Sequence, residues 1–408
     1  MSHKKTRYVY EKALQYEKLY EAWNTVLHTC QNKQGLFEFA LFSHAKVMGI
    51  LMELWAREYH PSAYRCFMIF EPKPRLVMSQ SIKDKTVNHF VAKEYLLPLL
   101  EPSLIDMNVA TRKGMGSKKA HAQMAKYIAE LMLLTPGMPI YALKIDVSKY
   151  FYMIDHEILF EKLEKKIKDK DVVEILRRIV SETNKPYINK TIDRFNKQYG
   201  VKIVHYEQNK GLSIGAMTSQ FLAIFYLNDL DHFIKEELKC KYYMRYMDDF
   251  VILSHDKEWL CFVKREIERE LLKLKLKINP KSAVYKVTSS TGMPFLGLRY
   301  RVDKRGRLRV VALAKTVRRI KKRLRWLREN DYEKYLLSYE SYRGYFAMER
   351  PFRGIERIAG LKDDASASLP DKNSRELGRE NYKLANINNI RDYVSQRIEP
   401  PAISGGSS

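Results

Sequence analysis

The chain has 408 residues, with 73 Lys and Arg against 48 acids and a formal charge of +25. That length suits two or three domains, and an apolar fraction of 45% supports a real core. The cationic excess points to a polyanionic partner, nucleic acid first, with a partnerless basic protein as the plain alternative and a membrane surface a weaker third. No run of about 18 uncharged apolar residues occurs, the N-terminus MSHKKTRYVYEKALQ holds no apolar signal core, and Cys30, Cys66, Cys240 and Cys261 form no CxxC pair. A reduced, cytoplasmic protein without a membrane span, zinc site or disulfide framework is therefore expected.

In chain order, residues 8–30 predict one helix, with Val9, Ala13, Tyr16, Tyr20, Trp23 and Leu27 on a single face. A second scaffold helix is expected over 39–58. Residues 67–78 read as strands punctuated by Pro72 and Pro74. Lys73 and Arg75, two apart on extended chain, face one side and suit a triphosphate, though in isolation a solvated basic turn is the simpler reading. A helix over 80–100 leads to a loop at 108–124, where Arg112, Lys113, Lys118 and Lys119 surround two glycines. The spacing is not that of a P-loop, so the loop is either a phosphate cradle or merely basic and flexible.

The stretch IYALKI reads as a buried strand ending at Asp146, an acid that needs a partner such as a metal ion. Asp155 is the expected N-cap of a helix running to Lys168. The polar, Tyr-rich segment 184–210 reads as an insertion available to RNA or a partner. Phe221, Ile224, Phe225 and Leu230 belong to a core helix. In KYYMRYMDDFVILSH, strands are expected at 242–246 and 250–253, leaving Asp248 and Asp249 at the hairpin turn. Alone, this pair is an ordinary acidic turn; beside a second acid it suits a divalent cation. Basic residues crowd the chain after 300. Val317, Ile320, Leu324 and Leu327 make one apolar stripe, and Arg318, Lys322 and Arg325 belong to the cationic side that would meet a duplex backbone. From about 363 the chain turns polar and loose, with a short helix expected at 381–397 and a linker-like ISGGSS end.

Several features occur in a telling order: a strand-end Asp146, an aromatic Phe151, GLSIGAMTSQ at 211–220, Tyr246-Met247-Asp248-Asp249, NPKSAVY at 279–285 and PFLGLRY at 294–300. Together they resemble the reverse transcriptases over roughly residues 10–355. The resemblance implies an α+β, right-hand polymerase: an N-terminal helical extension (1–60), fingers (61–139), a palm with an antiparallel sheet (140–298), a helical thumb (299–362) and a polar tail (363–408). It implies two Mg²⁺ ions, with Mn²⁺ as a substitute, bridged by Asp146 and Asp248, supported by Asp249 and completed by the Val147 backbone. Lys73 and Arg75 would hold the β- and γ-phosphates, Phe151 would exclude ribonucleotides, and Lys281 would protonate the leaving pyrophosphate. Phe295, Leu296 and Gly297 would grip the primer, and the basic loop would meet template or nucleotide phosphates. The implied partners are a template RNA, the cDNA/RNA duplex, dNTPs and an accessory protein or second copy of the chain.

The central motif departs from the Gln-Gly-x-x-x-Ser-Pro of most bacterial members. Here it is Ile214-Gly215-x-x-x-Ser219-Gln220 beside the nascent base pair. This form resembles the enzymes of diversity-generating retroelements, which copy RNA with errors at adenines. An apolar Ile214 removes hydrogen-bonding options and leaves selection to shape, unless it is an ordinary packing change. Related antiphage-defence enzymes are the alternative; with 27 tyrosines, a protein-primed start stays open. A non-catalytic RNA scaffold is the reading from another class.

Overall fold

The computed structural model describes residues 9–30, 32–70, 73–303 and 305–346. The tail and its expected helix at 381–397 lie outside the described residues, as does Pro72. The expected single N-terminal helix is two: α1 (Val9–Ala13) and α2 (Tyr16–Thr29), separated at Leu14 and Gln15. The break rotates the buried face to Tyr10, Ala13 and Leu14, then Leu19, Ala22, Trp23 and Val26, so Val9, Tyr16, Tyr20 and Leu27 only flank it. The second helix is also broken, into α3 (Lys33–Ala40) and α4 (Ser43–Trp55), bent by 87°. Among the described residues, no single helix is long and apolar enough to cross a membrane.

Strands β1 (Arg65–Ile69) and β2 (Arg75–Ser79) form an antiparallel hairpin. Helix α5 (Ile82–Val91), capped by the Ser81 side chain on the Asp84 N–H, runs through a π-helical turn at Ala92–Leu96 into α6 (Leu97–Leu100). Helix α7 (Ser117–Leu134) follows the basic loop. Then come β3 (Tyr141–Asp146), α8 (Tyr150–Met153), α9 (His156–Lys166), α10 (Lys170–Ser181), α11 (Pro186–Tyr199), α12 (Met217–Tyr226) and α13 (Asn228–His232). The hairpin β4 (Tyr243–Tyr246) and β5 (Asp249–Ser254) leads to α14 (Lys257–Lys273) and β6 (Ala283–Lys286). Strands β7 (Met293–Phe295), β8 (Leu298–Val302) and β9 (Leu308–Ala312) form a second antiparallel sheet, followed by α15 (Ala314–Asn330) and α16 (Tyr332–Phe346).

The central antiparallel sheet has the order β4-β5-β3-β6, and apolar residues cover both of its faces. Leu143, Ile145, Phe250 and Ile252 face the larger core, shared with α12, α14 and the N-terminal helices. Ala142, Met244, Val251 and Leu253 face a second core closed by α7 and by Met293, Phe295, Leu298, Tyr300 and Val310. The division expected at 298/299 falls at the start of β8, whose sheet belongs to this second core. The segment 184–210 is no free surface loop. Ile188, Ile192 and Phe195 of α11 are buried against Tyr64, Leu76 and Met78 of the β1–β2 region. Asn184, Asn189 and Asn196 bond the returning chain at Glu207, Tyr206 and Ile203. On α15, Ile320, Leu324 and Leu327 pack against Tyr335, as the stripe predicts.

Candidate active site

Strand register brings the acids together. Asp146, the last residue of β3, is the direct cross-strand partner of Asp249, the first of β5. In the β4–β5 hairpin Tyr246 pairs with Asp249, so the turn proper is Met247-Asp248 and Asp249 already belongs to the strand, one residue earlier than the sequence suggests. Val147 donates its N–H to the Asp248 carbonyl at 3.3 Å, tying the end of β3 to the turn. Met247 carries φ 56°, a conformation glycine adopts with least strain. A non-glycine residue there costs about 1–2 kcal/mol. The Arg245 guanidinium holds the Met247 carbonyl at 2.9 Å and helps fix the turn.

Burial and mutual repulsion act on the carboxyls. Burial first, then the Asp146 and Asp249 charges, push the Asp248 carboxyl up to about 6, while Arg75 pulls it back. Burial raises Asp249 as well, opposed by Lys144. The Lys144 ammonium binds the Asp249 Oδ2 at 3.0 Å and the Pro294 carbonyl at 2.7 Å. The Asp249 Oδ1 is buried and has no hydrogen-bond partner among the described residues; the same holds for the Tyr285 hydroxyl. Asp146 is clamped by a turn that the sequence singled out only for its lysine. The Asn279 amide reaches its Oδ2 at 3.1 Å, the Asn279 N–H its carbonyl at 2.7 Å, and its own N–H donates to the Ser282 hydroxyl at 3.1 Å. Lys281 is exposed on that turn, its N–H on the Asn279 Oδ1.

The remaining expected residues divide sharply. Phe151 sits half-buried on α8, one short turn beyond Asp146. Lys73 and Arg75 are exposed on the β1–β2 hairpin. The Ile214 carbonyl accepts the Met78 N–H at 3.1 Å, laying the central motif against β2. Gly215, at φ 123°, has the Met78 carbonyl 3.3 Å from where a Cβ would sit, so the close approach requires glycine. Gln220 is half-buried, but Ser219 is not available to a nucleotide: it is buried and its hydroxyl bonds Ser213 at 2.9 Å. Arg112 is likewise consumed internally, by Glu101 at 3.1 Å and by the Ile105 and Asn108 carbonyls, so it braces the loop instead of meeting phosphate. Lys113, Lys118 and Lys119 remain exposed. Phe295 is 1% exposed in the second core and is not available to a primer, while Leu296 and Gly297 form the half-buried β7–β8 turn. Arg318, Lys322 and Arg325 are exposed on α15.

The sequence reading missed five residues: Lys144, Asn279, Ser282, Arg245 and Asp231. An arginine inside the apolar strand YMRY was the readable signal, since a buried guanidinium needs a carboxylate. Asp231 supplies it in two bonds of 2.7 and 2.5 Å, with both side chains fully buried.

Adjacent carboxylates at the end of a two-sided antiparallel sheet are the arrangement of a polymerase palm. The sequence pattern of the family described as reverse transcriptase (RNA-dependent DNA polymerase) matches residues 71–300, more than half of the chain, and the chain belongs to that family. No curated protein sequence matches it. Among solved structures, it is similar to telomerase from Candida albicans in complex with a fragment of telomeric RNA: TM-score 0.44, 13% identity, 85% of this chain and 65% of that one. Apo telomerase from Candida tropicalis truncated from its C-terminal domain gives a TM-score of 0.42 at 15% identity, over 60% of this chain and 54% of that one. The chain thus spans about half to two thirds of the length of these structures.

Proposed function

We propose that the chain is an RNA-directed DNA polymerase that makes cDNA from a template RNA with dNTPs. The observation that carries this reading is the set of Asp146 and Asp249 on adjacent strands with Asp248 in the β4–β5 turn, and one buried carboxylate oxygen left bare. Among the described residues no three ligating side chains are arranged to hold an ion alone. Mg²⁺ binds through one or two carboxylates and completes its shell with water and substrate phosphates. Asp146 and Asp248 would hold the ions with the Val147 carbonyl, and Asp249 would support them. When bound, two Mg²⁺ or Mn²⁺ ions activate the primer hydroxyl and offset charge on the leaving pyrophosphate. Arg75, whose charge reaches Asp248, and Lys73 bind the incoming phosphates. Phe151 excludes a 2′-hydroxyl, Leu296 and Gly297 seat the primer end, Lys281 donates a proton to pyrophosphate, and α15 lies along the duplex backbone.

Within this activity, the Ile214–Gln220 motif favours the diversity-generating type, in which an apolar wall beside the base pair selects by shape. The test is incorporation by purified protein on an RNA template with Mg²⁺. Wild type extends the primer and misincorporates opposite template adenines, while Asp248→Ala with Asp249→Ala gives background. Extension by the double variant would remove the metal assignment. Uniform fidelity at all four bases would favour the defence-type reading instead.

A further inference from the structure

The β8–β9 hairpin ends in a cluster that the polymerase site does not use. A cavity of about 410 Å³ is lined there by Ser289, Arg301, Asp303, Arg305, Arg307 and Arg309. Arg301 and Arg309 are direct cross-strand partners. Like charges in that position destabilise a sheet unless something answers them. Asp303 does so only in part: it accepts the Arg307 side chain at 3.1 Å and lies 3.6 Å from Arg309. The Arg301 Nε is buried without a hydrogen-bond partner among the described residues, a costly state for a charged donor. The side chain is also held in place. At Gly292 (φ 58°), a Cβ would lie 2.7 Å from the Arg301 Cγ and 2.8 Å from the Arg299 Cγ, so the loop closes on the two stems. We propose that this arginine cradle is an RNA phosphate-backbone site, separate from the catalytic cleft. Among the described lining residues the four cations are all arginines, whose planar donors suit bidentate contact with phosphate oxygens. Arg301 and Arg309 alternate with Tyr300 and Val310, which face the second core, so these two arginines occupy the opposite face of the sheet, and Arg305 and Arg307 extend the cradle into the connecting turn. At about 3.3 Å per residue, it begins about 13 Å from the Leu296–Gly297 turn and reaches about 20 Å from it at Asp303. Template RNA leaving the cleft is thereby anchored several nucleotides away.

The site rests on the reading of the chain as a nucleic-acid polymerase, and the experiment separates the two. Binding of a labelled 30-nucleotide RNA to the full chain is measured against salt for wild type and for Arg301→Gln/Arg307→Gln/Arg309→Gln. Each lost phosphate contact lowers the slope of log affinity against log salt by about 1, so the triple variant should lose about 2–3 from the slope and at least about tenfold in affinity. If the variant unfolds, the Arg→Lys triple variant is the readout: it should keep the slope and bind more weakly. An unchanged slope in a folded variant overturns the cradle. So does equal loss of binding to polyglutamate. Calorimetric binding of inorganic tripolyphosphate that the variant loses, with RNA binding intact, overturns it in favour of a free-phosphate site. Wild type that fails to incorporate dNTPs while the slope loss persists removes the polymerase reading and keeps the cradle.

Discussion

Two charged clusters share the β4–β5 hairpin and differ in one respect. Arg245 and Asp231 are buried completely, and every charge is answered: two bonds between them, the Tyr243 hydroxyl on Asp231 at 2.6 Å, and the Ile224 and Met247 carbonyls on Arg245. Asp248 and Asp249 lie just beyond, crowded by Asp146, with one buried oxygen bare and both carboxyls holding protons too tightly. The closed cluster is satisfied within the protein, and the open one leaves a carboxylate oxygen unanswered among the described residues. Their junction is the Met247 carbonyl, through which the first positions the second.

Breaking the closed cluster should have the largest effect. Arg245→Met leaves the Asp231 charge buried and alone and should cost about 3–5 kcal/mol, read from the denaturation midpoint; an unchanged midpoint would show that the pair contributes nothing. The open cluster should respond in the opposite sense. The folded carboxyl of Asp248, at about 6, lies above its ordinary 3.8, so its contribution is full below 3.8 and is lost as pH rises through about 6. Asp248→Asn should therefore stabilise the metal-free protein at pH 8 by up to about 3 kcal/mol while abolishing incorporation. A melting curve insensitive to pH between 4 and 7 in wild type would refute that picture. The smallest effect is expected at Lys144, which joins the open cluster to β7. Lys144→Met should raise the Mg²⁺ needed for half-maximal incorporation by about 10–100-fold, with little change at saturating metal. A fall in the saturated rate alone would assign Lys144 to chemistry instead of carboxylate placement.

The acids were legible because a strand that buries both faces makes any terminal acid conspicuous, and because a turn pair and a strand end can meet only through sheet pairing. The amphipathic stripe of α15 was legible for the same periodic reason. Lys144 was not, since one lysine within IYALKI is indistinguishable from a solvated residue until the Pro294 carbonyl is brought beside it. Arg112 looked like a phosphate ligand, yet Glu101, eleven residues earlier, claims it. Ser219 looked like motif chemistry and is packing. The helix break at Leu14 and Gln15 carries no proline or glycine, and only the surrounding core imposes it.

The clamp on Asp146 has a consequence for how the protein is made. Ser282 lies 136 residues after Asp146, and β3 is flanked by β5 and β6, both translated much later. On the ribosome the first acid emerges more than a hundred residues before anything can pair with its strand. Such distant pairings are slow and leave apolar edges exposed meanwhile. The carboxylate cluster is therefore among the last parts of the sheet to form, and a nascent chain stalled before residue 283 would carry Asp146 on an unfinished edge.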